Sequence, residues 1–255
     1  MIKLNYEKDV DISVFPLPEG NMWREALGRR NYFYDGDNSK KLDNNFFNIF
    51  NVNGKVIINR KYGITMPSSK LENGIYYWDF PIDPSRDAEI KNNTNPMVTE
   101  EHLMFDFYCN FDFINENENL SEEDKFIIKN KLFVLPKQSV INVLERVSDN
   151  VSYSKEEENS QHNDILLNGK KVWGEERTAM NTGVYSIGNT VLNFTSNEEF
   201  YMPTLQKEIE EEKASGKSMT GIEDEIPGYT KEQFIKDYLA EVQRLIDEIN
   251  SHLVV

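Results

Sequence analysis

Short apolar segments separated by polar turns run through most of this chain, and longer amphipathic segments lie between them. Alternating or continuous short apolar runs are typical of strands, whereas apolar residues three and four positions apart are typical of helices. Because the helical segments fall between groups of strands, the pattern predicts an α+β fold with mostly antiparallel pairing. The predicted strands lie within residues 1–20, 32–34, 46–58, 75–80, 105–113, 151–153, 165–173 and 183–194.

Helices are predicted over residues 21–30 and on both sides of Pro136. Ser121 is a favourable N-cap residue, and acidic residues follow it in the first turn. Residues 130–135 are compatible with the end of this helix or with a strand, and Pro136 is expected to stop either element because it lacks an N–H donor. Apolar residues at helical spacing then predict a second helix over residues 137–148.

The composition changes after residue 202. Residues 215–228 form a linker rich in Gly, Ser and acidic residues, and Thr230 begins a final amphipathic helix that extends to about His252. We therefore predict a main α+β domain over residues 1–202 and a small C-terminal helical subdomain over residues 203–255.

A hairpin centred on Asn168-Gly169 is the clearest local feature. A type I′ turn needs positive φ at both central residues, and Asn-Gly is the pair that best allows it. The turn places Lys171 across the ladder from residues 164–165. On this pattern alone, an ordinary surface hairpin with solvated lysines is the simpler interpretation. A second pair, Asn53-Gly54, predicts another hairpin over residues 46–58.

The charge of the chain limits its partners. Lys and Arg number 28 against 44 Asp and Glu, a net charge of −16, so neither nucleic acid nor an anionic membrane is expected as the main partner. No apolar run approaches the roughly 20 residues that span a bilayer, and residues 1–8 are too polar for a signal peptide. The single cysteine, Cys109, cannot form an internal disulfide, so we predict a soluble cytoplasmic protein.

Several common active sites are excluded because their motifs are missing. His102, His162 and His252 have no partners at metal-ligand spacing, so no metal site is predicted. The sequence has no G-x-G-x-x-G, no G-x-x-x-x-G-K-[ST] and no G-x-S-x-G. Acidic residues are so numerous that spacing does not identify a glycosidase pair.

A longer motif surrounds the Asn168-Gly169 turn. Residues 163–174 read N-D-I-L-L-N-G-K-K-V-W-G, which resembles the hairpin N-D-[IL]-[LV]-x-[DN]-G-[RK]-K-[IV]-x-G of the lipoate–protein ligase family. The order of helix, hairpin, polar link and two further strands over residues 137–194 is also similar to that family. The same holds for the start of the last helix, residues 230–234, which reads T-K-E-Q-F.

This resemblance implies a biotin/lipoate ligase-like fold: a twisted mixed, mostly antiparallel sheet flanked by helices, with a small C-terminal helical part. The family uses ATP to convert a lipoate- or octanoate-type acid into its acyl-adenylate, and then transfers the acyl group to a lysine of an acceptor protein such as a lipoyl domain. Lys171 matches the lysine that contacts the adenylate. Asn163 and Asp164 match residues beside the nucleotide and its Mg²⁺, and Gly169 and Gly174 match the glycines of the motif.

The N-terminal half departs from the family pattern R-R-x-x-G-G-G-x-V-x-H. The nearest segment is Arg60-Lys61-Tyr62-Gly63, which keeps two cations and one glycine but lacks the triple glycine and the histidine. Arg60, Lys61 and Gly63 are therefore this half's candidate ligand-binding residues. After Gly174 the family prefers G-S-A, whereas this chain has Glu175-Glu176, which puts two acids near the expected adenylate phosphate.

Three hypotheses remain open from the sequence. The first is a working acyl-adenylate ligase in which Lys171 is catalytic. The second is a catalytically degenerate relative that binds a ligand or a partner protein. The third is a structural or interaction protein of unrelated type, in which the hairpin match arises by chance.

Overall fold

The computed structural model describes residues 1–12, 16–33, 39–61, 68–72, 75–81, 97–153, 164–180, 182–197 and 219–253. In chain order its elements are β1 (Ile2–Asp11), α1 (Met22–Phe33), β2 (Asn45–Asn53), β3 (Val56–Lys61), β4 (Ser68–Glu72), β5 (Ile75–Pro81), β6 (Met97–Val98), β7 (His102–Asn110), α2 (Asp112–Asn115), α3 (Glu122–Leu144), β8 (Val151–Tyr153), β9 (Ile165–Leu167), β10 (Lys170–Met180), β11 (Gly183–Val191), α4 (Ile222–Glu225) and α5 (Lys231–Ser251).

The larger sheet has seven strands in the order β1-β2-β7-β11-β10-β9-β8. β1 and β2 pair in parallel, and the other neighbouring pairs in this sheet are antiparallel. This confirms the predicted α+β fold with a mixed, mostly antiparallel sheet. One face packs against α3 and α5, and at its centre the rings of Phe105 and Trp173 stack with centroids 5.9 Å apart. We call this the helix face.

The opposite face of the large sheet is covered by α1 and by a second sheet of four strands in the order β4-β5-β3-β6. We call this the α1 face. Aromatic side chains fill the space between the layers. Trp23 of α1 lies with its ring centroid 6.1 Å from that of Phe50 in β2 and 6.3 Å from that of Trp78 in β5. These large rings account for much of the apolar area that holds the two sheets together.

The predicted hairpin at Asn53-Gly54 is wrong, because β2 lies in the large sheet and β3 in the small one. Gly54 has a φ of +123°, but Asn53 lacks the positive φ that a type I′ turn also needs. Val56, the first residue of β3, packs in the same apolar cluster as Phe50. The turn therefore connects the two sheets. β2 pairs with strands of the large sheet and β3 with strands of the small one, and Phe50 and Val56 are buried between the layers.

Helix α3 runs without interruption through Pro136, contrary to the predicted stop and restart and to the alternative strand at residues 130–135. Ser121 caps the helix as predicted, accepting a hydrogen bond from the Asp124 amide. An interior proline costs roughly 3 kcal/mol, yet the buried positions keep helical spacing across it. They include Ile128, Leu132, Leu135, Ser139 and Val140. Burial of this face against the sheet and α5 outweighs the cost.

Helix α1 also extends beyond its predicted end and includes Phe33, so the strand predicted over residues 32–34 is wrong for its first two residues. Tyr34 is outside the described residues. The ring of Phe33 stacks on Tyr185, at a centroid distance of 4.7 Å, and on Tyr108, at 5.1 Å. Trp23, Ala26 and Phe33 are buried on one side of the helix, so contact with the sheet extends the helix by a further turn.

The described part of the C-terminal segment, residues 219–253, is packed on the helix face. Thr230 caps α5 by accepting a hydrogen bond from the Gln233 amide, as predicted. Phe234 and Tyr238 belong to the same apolar cluster as Phe47 of β2. The predicted helix at residues 205–213 is outside the described residues. In the parts of the chain that the structure describes, no helix is both long and apolar enough to cross a membrane.

Glu241 of α5 is buried against α3, with its side chain only 1% exposed. Burial alone would raise its pKa, but hydrogen bonds from Arg244, Asn142 and Arg146 lower the pKa to about 2. Because this folded-state pKa lies below the ordinary value of 4.5, the stabilisation is present above about pH 4.5 and is lost as the pH falls towards 2.

We therefore expect wild type and Glu241→Gln to differ more in stability at pH 7 than at about pH 3.5. The gap should narrow by about 1 kcal/mol. This narrowing is smaller than the full pKa shift of Glu241 would give, because Arg146 and Arg244 are half exposed and solvent screens their interaction with the carboxylate. Urea unfolding of the two proteins at both pH values measures it. A gap that is independent of pH would contradict the expectation.

Candidate functional site

The hairpin of β9 and β10 forms as the sequence predicts. Asn168 has a φ of 51° and Gly169 a φ of 76°, the two positive values that a type I′ turn requires. Lys170 pairs with Leu167 and Lys171 with Leu166, so the expected position of Lys171 across from residues 164–165 is wrong by at least one residue. The register then shifts before Trp173 pairs with Ile165. This irregularity makes one side of β10 bulge directly after Lys171.

Lys171 has a fixed position beside the hairpin. Its Nζ lies 2.9 Å from Oδ1 of Asp164, and the two side chains are 26% and 12% exposed. A Cβ at Gly174 would lie 3.4 Å from Cε of Lys171 and 3.7 Å from its Nζ. The lysine side chain therefore lies over Gly174, and its ammonium group contacts the Asp164 carboxylate. A partly buried cation is thus held at the surface of the sheet.

Cross-strand pairing shows which face of the large sheet carries Lys171. Gly174 is directly opposite Asn189, and Asn189 is directly opposite Met104. Residues directly opposite one another share a face, and Met104 packs in the apolar cluster that contains Trp23. Lys171 is therefore on the α1 face, at the end of the sheet where β7 begins.

Two arginines of α1 reach acidic residues on this same face. Arg29 Nε donates to Asp106 of β7, and Arg30 forms a two-point ion pair with Glu176 of β10 at 2.7 and 2.9 Å. Asp106 also accepts from Asn48 Nδ2 at 2.9 Å and is completely buried. Burial raises the pKa of Asp106, although Arg29 and Asn48 oppose that effect. These pairs fasten α1 to the sheet beside the hairpin.

The two acids that follow Gly174 point to opposite faces and are both neutralised. Glu175 lies on the helix face, where Arg177 pairs with it at 2.7 and 2.9 Å and both side chains are almost fully buried. Glu176 lies on the α1 face and pairs with Arg30. The repulsion that two acids would exert on a phosphate at this point is therefore much reduced.

The other candidate residues are distributed more widely. Gly169 is at the tip of the turn, where an added methyl group would meet no atom of the described residues within 4 Å. Arg60 and Lys61 end β3 and pair with Phe80 and Pro81 in the small sheet, so they belong to a different sheet from Lys171. Asn163 and Gly63 are outside the described residues. The structure thus brings together Lys171, Asp164 and Gly174.

A contact that the sequence did not reveal joins the hairpin to residues 219–225. The amide of Thr220 donates to the carbonyl oxygen of Lys171 at 3.0 Å, and Met219 forms a parallel bridge with Lys171. The Lys170 side chain is exposed, but its Nζ donates to Glu225 at 2.7 Å. Residues 215–228 have the composition of a linker, and no local pattern indicates that an acid there meets a turn so far away in sequence.

Other features of the described chain do not add to this site. An open cavity of about 820 Å³ lies at the opposite end of the large sheet, lined by polar residues such as Asn5, Asn48 and Asn110. Burial raises the pKa of the Cys109 thiol, which makes it a poor nucleophile. Within the described ranges, no three His, Cys, Asp or Glu residues form a cluster that could hold a metal ion.

No protein-family model and no curated protein matches this chain. Among solved structures, the chain is similar to a Thermoplasma acidophilum protein assigned as a lipoate protein ligase and solved with bound lipoic acid. They share 9% identity over 98% of this chain and 92% of the other, with a TM-score of 0.50.

Two further similarities have lower TM-scores. A lipoate-protein ligase A bound with ATP shares 8% identity over 99% of this chain and 91% of its own, with a TM-score of 0.48. A biotin protein ligase from Aquifex aeolicus, in complex with biotin and ATP, shares 15% identity over 98% and 72%, with a TM-score of 0.41. At such identities the likeness concerns the backbone. The similarity to the Thermoplasma acidophilum structure, at a TM-score of 0.50, shows that the chain has the fold of a lipoate protein ligase.

Proposed function

We propose that this protein is an ATP-dependent ligase that converts a lipoate- or octanoate-type acid into its acyl-adenylate and transfers the acyl group to a lysine of an acceptor protein. The observation that carries the proposal is the placement of Lys171. The chain has the ligase fold. Within it, the hairpin motif carries a cation that Asp164 holds over Gly174 on the α1 face. Fold alone would not support an activity.

Lys171 would act as an electrostatic catalyst. The carboxylate of the acid attacks the α-phosphate of ATP and displaces pyrophosphate, and negative charge develops on the phosphate oxygens. In the transfer step the amine of the acceptor lysine attacks the acyl carbonyl and displaces AMP, and negative charge develops on the carbonyl oxygen. A compact ammonium with three donors can stabilise both. Its present partner, Asp164, keeps the ammonium oriented and would exchange one contact as the phosphate arrives.

The same hairpin offers a place for ATP and Mg²⁺. Mg²⁺ usually takes one or two protein carboxylates together with substrate phosphates and water, and Asp164 supplies one such carboxylate beside Lys171. Asn163, its neighbour in sequence, is proposed as a second polar contact. When bound, Mg²⁺ neutralises charge on the transferring phosphates. Arg60, Lys61 and Gly63 are proposed to contact the acid or nucleotide, and Gly169 and Gly174 to keep the hairpin backbone close to it.

The partners follow from the same proposal. They are a small carboxylic acid and a protein acceptor with a reactive lysine, of which a lipoyl domain is the proposed example. Neither nucleic acid nor a membrane is part of the proposed reaction, and we propose that the protein acts in the cytoplasm.

A second candidate function is ligand or partner binding without catalysis. The glycine-rich motif of the ligases is not matched in the sequence, and Lys171 already has a carboxylate partner in the described structure. A protein that had lost catalysis could keep the fold and the acid-binding surface while failing to activate the acid.

Calorimetry and a pyrophosphate assay on the intact protein separate these candidates. We expect heat on titration with lipoate or octanoate, and release of pyrophosphate from MgATP only when such an acid is present. Biotin serves as the control acid. Heat with the acid but no pyrophosphate would favour the binding function, and no heat with either acid or ATP would contradict both.

A further inference from the structure

The backbone of Lys171 is held by the segment Met219–Glu225, which we call the C-terminal clip. On one side of β10, Lys171 pairs with Leu166 of β9. On the other side β11 has already ended, since its pairing with β10 begins only at Trp173. The clip takes that free place: Met219 bridges Lys171, and the Thr220 amide donates to the Lys171 carbonyl at 3.0 Å.

Glu225 fastens the clip to the tip of the hairpin through three donors. It accepts from Lys170 Nζ at 2.7 Å, from Thr220 Oγ1 at 2.8 Å and from Asn168 Nδ2 at 3.0 Å. Its side chain is 11% exposed. A carboxylate suits this position because it accepts at both oxygens and presents no donor to three groups that all donate.

The two acids before Glu225 bond to a different part of the sheet. Asp224 accepts from the Phe194 amide at 2.6 Å, and Glu223 accepts from Asn193 Nδ2 at 3.0 Å. Both partners follow the end of β11. In this run of three acids, Glu225 is thus the one whose side chain reaches the hairpin that carries Lys171.

We propose that Glu225 is a positioning residue for Lys171: by tying the clip to both sides of the turn, it fixes the backbone from which the Lys171 side chain reaches its place over Gly174. This inference rests on the proposed function, since it concerns the same lysine. Its consequence is that the reaction depends on residues well after the hairpin in sequence. Glu225 does not contact the reacting atoms.

Loosening the clip should misplace the ammonium without removing it. Errors of about 1 Å in a reacting group can cost up to about 10²-fold in rate. In Glu225→Gln, an N–H₂ group replaces one carboxylate oxygen. This group cannot accept a hydrogen bond, so at least one of the three donors loses its acceptor. Lys171 keeps its charge, whereas its position becomes less well defined.

Glu225→Gln and the matched control Glu223→Gln test the proposal on the full-length protein. Both substitutions remove one negative charge from the same short helix, but Glu223 bonds to Asn193 and not to the hairpin. We expect Glu225→Gln to lower kcat for acid-dependent pyrophosphate release by about 10-fold or more, with little change in the KM for ATP. Glu223→Gln should leave kcat unchanged, and the melting temperatures of the two variants should agree closely.

Two further measurements do not depend on activity. Hydrogen exchange should speed up in the peptide covering residues 164–173 in Glu225→Gln and not in Glu223→Gln. Acylation of Lys171 by a water-soluble activated ester, followed by mass spectrometry, should also be faster in Glu225→Gln, because the lysine leaves Asp164 more often. Asp164→Asn is the positive control for faster labelling.

The outcomes distinguish failure of the inference from failure of the proposed function. An active wild type with unchanged kcat in Glu225→Gln, or equal losses in both variants, would overturn the positioning role. If the wild type proves inactive, the proposed function fails, and the labelling rate of Lys171 alone decides whether Glu225 positions it. Equal labelling in wild type and Glu225→Gln would then refute the inference.

Discussion

Lys171→Ala is expected to lower acid-dependent pyrophosphate release by about 10²–10³-fold, the range found when one oriented charge-stabilising donor is removed from an active site. The loss should appear in kcat and in kcat/KM together, because the ammonium contributes most where charge develops. The KM for ATP should change less. Steady-state kinetics over a range of ATP and lipoate concentrations measure these terms separately.

The control for this variant is Lys131→Ala. Lys131 is also a lysine in an ion pair, 2.7 Å from Glu248, but it joins α3 to α5 on the other side of the large sheet. We expect Lys131→Ala to retain full activity. Asp164 is 12% exposed, unlike the completely buried Asp106, so water can reach its carboxylate when Lys171 is removed. The melting temperature of Lys171→Ala should therefore fall only slightly. An active, folded Lys171→Ala protein would remove the basis for the proposed mechanism.

Arg29→Met is expected to destabilise the protein by about 3–5 kcal/mol at pH 7, the range for leaving a buried charge without its partner. Asp106 is completely buried, whereas the Arg29 side chain is 18% exposed and can reach solvent. Removing the arginine therefore leaves a carboxylate in the core that still accepts a hydrogen bond from Asn48 but has lost its charged partner. Asp106→Asn alone should cost less.

The pH dependence of this effect has a defined sign. Burial already raises the pKa of Asp106 above its ordinary value, and losing Arg29 should raise the pKa further. A carboxyl group whose folded-state pKa is raised favours folding when protonated, so its destabilisation grows as the pH rises and shrinks as it falls. Urea unfolding of wild type and Arg29→Met at pH 7 and at about pH 5 measures how the destabilisation changes with pH.

The double variant Arg29→Met/Asp106→Asn completes the test. Removing the buried charge should restore part of the stability lost in Arg29→Met, and the coupling between the two substitutions should exceed about 1 kcal/mol. Additive effects, or a loss in Asp106→Asn as large as that in Arg29→Met, would show that burial of the charge is not what makes the pair important.

Two Asn-Gly pairs show how far local sequence determines this fold. At Asn168-Gly169 both residues adopt positive φ and the hairpin forms as predicted, because its flanking strands belong to the same sheet. At Asn53-Gly54 the same pair connects two different sheets, because Val56 and Phe50 are buried together between the layers. The dipeptide favours a turn, but only the packing of distant residues decides what the turn connects.

The candidate site was predictable to a similar extent. The motif identifies Lys171 and Asp164, and the turn brings them to the same end of the hairpin. Backbone pairing places Leu166, not Asp164, opposite Lys171, so their contact depends on how the two side chains lie. Glu225 is more than 50 residues from the turn, and its contact with Lys170 requires the path of the whole C-terminal segment. The local sequence does not predict the continuity of α3 through Pro136 either, since this continuity depends on burial against α5 and the sheet.

The placement of α5 has a consequence for biosynthesis. Phe234 and Tyr238 stack at 5.7 Å, and Tyr238 meets Phe47 of β2 with ring centroids 6.5 Å apart. Helix α5, which is synthesised long after β2, thus covers aromatic side chains on the helix face, including Phe47. Until it leaves the ribosome, those side chains remain exposed to water and to chaperones. A premature stop before residue 231 would release a sheet with its helix face partly bare, and such a chain should aggregate or be degraded.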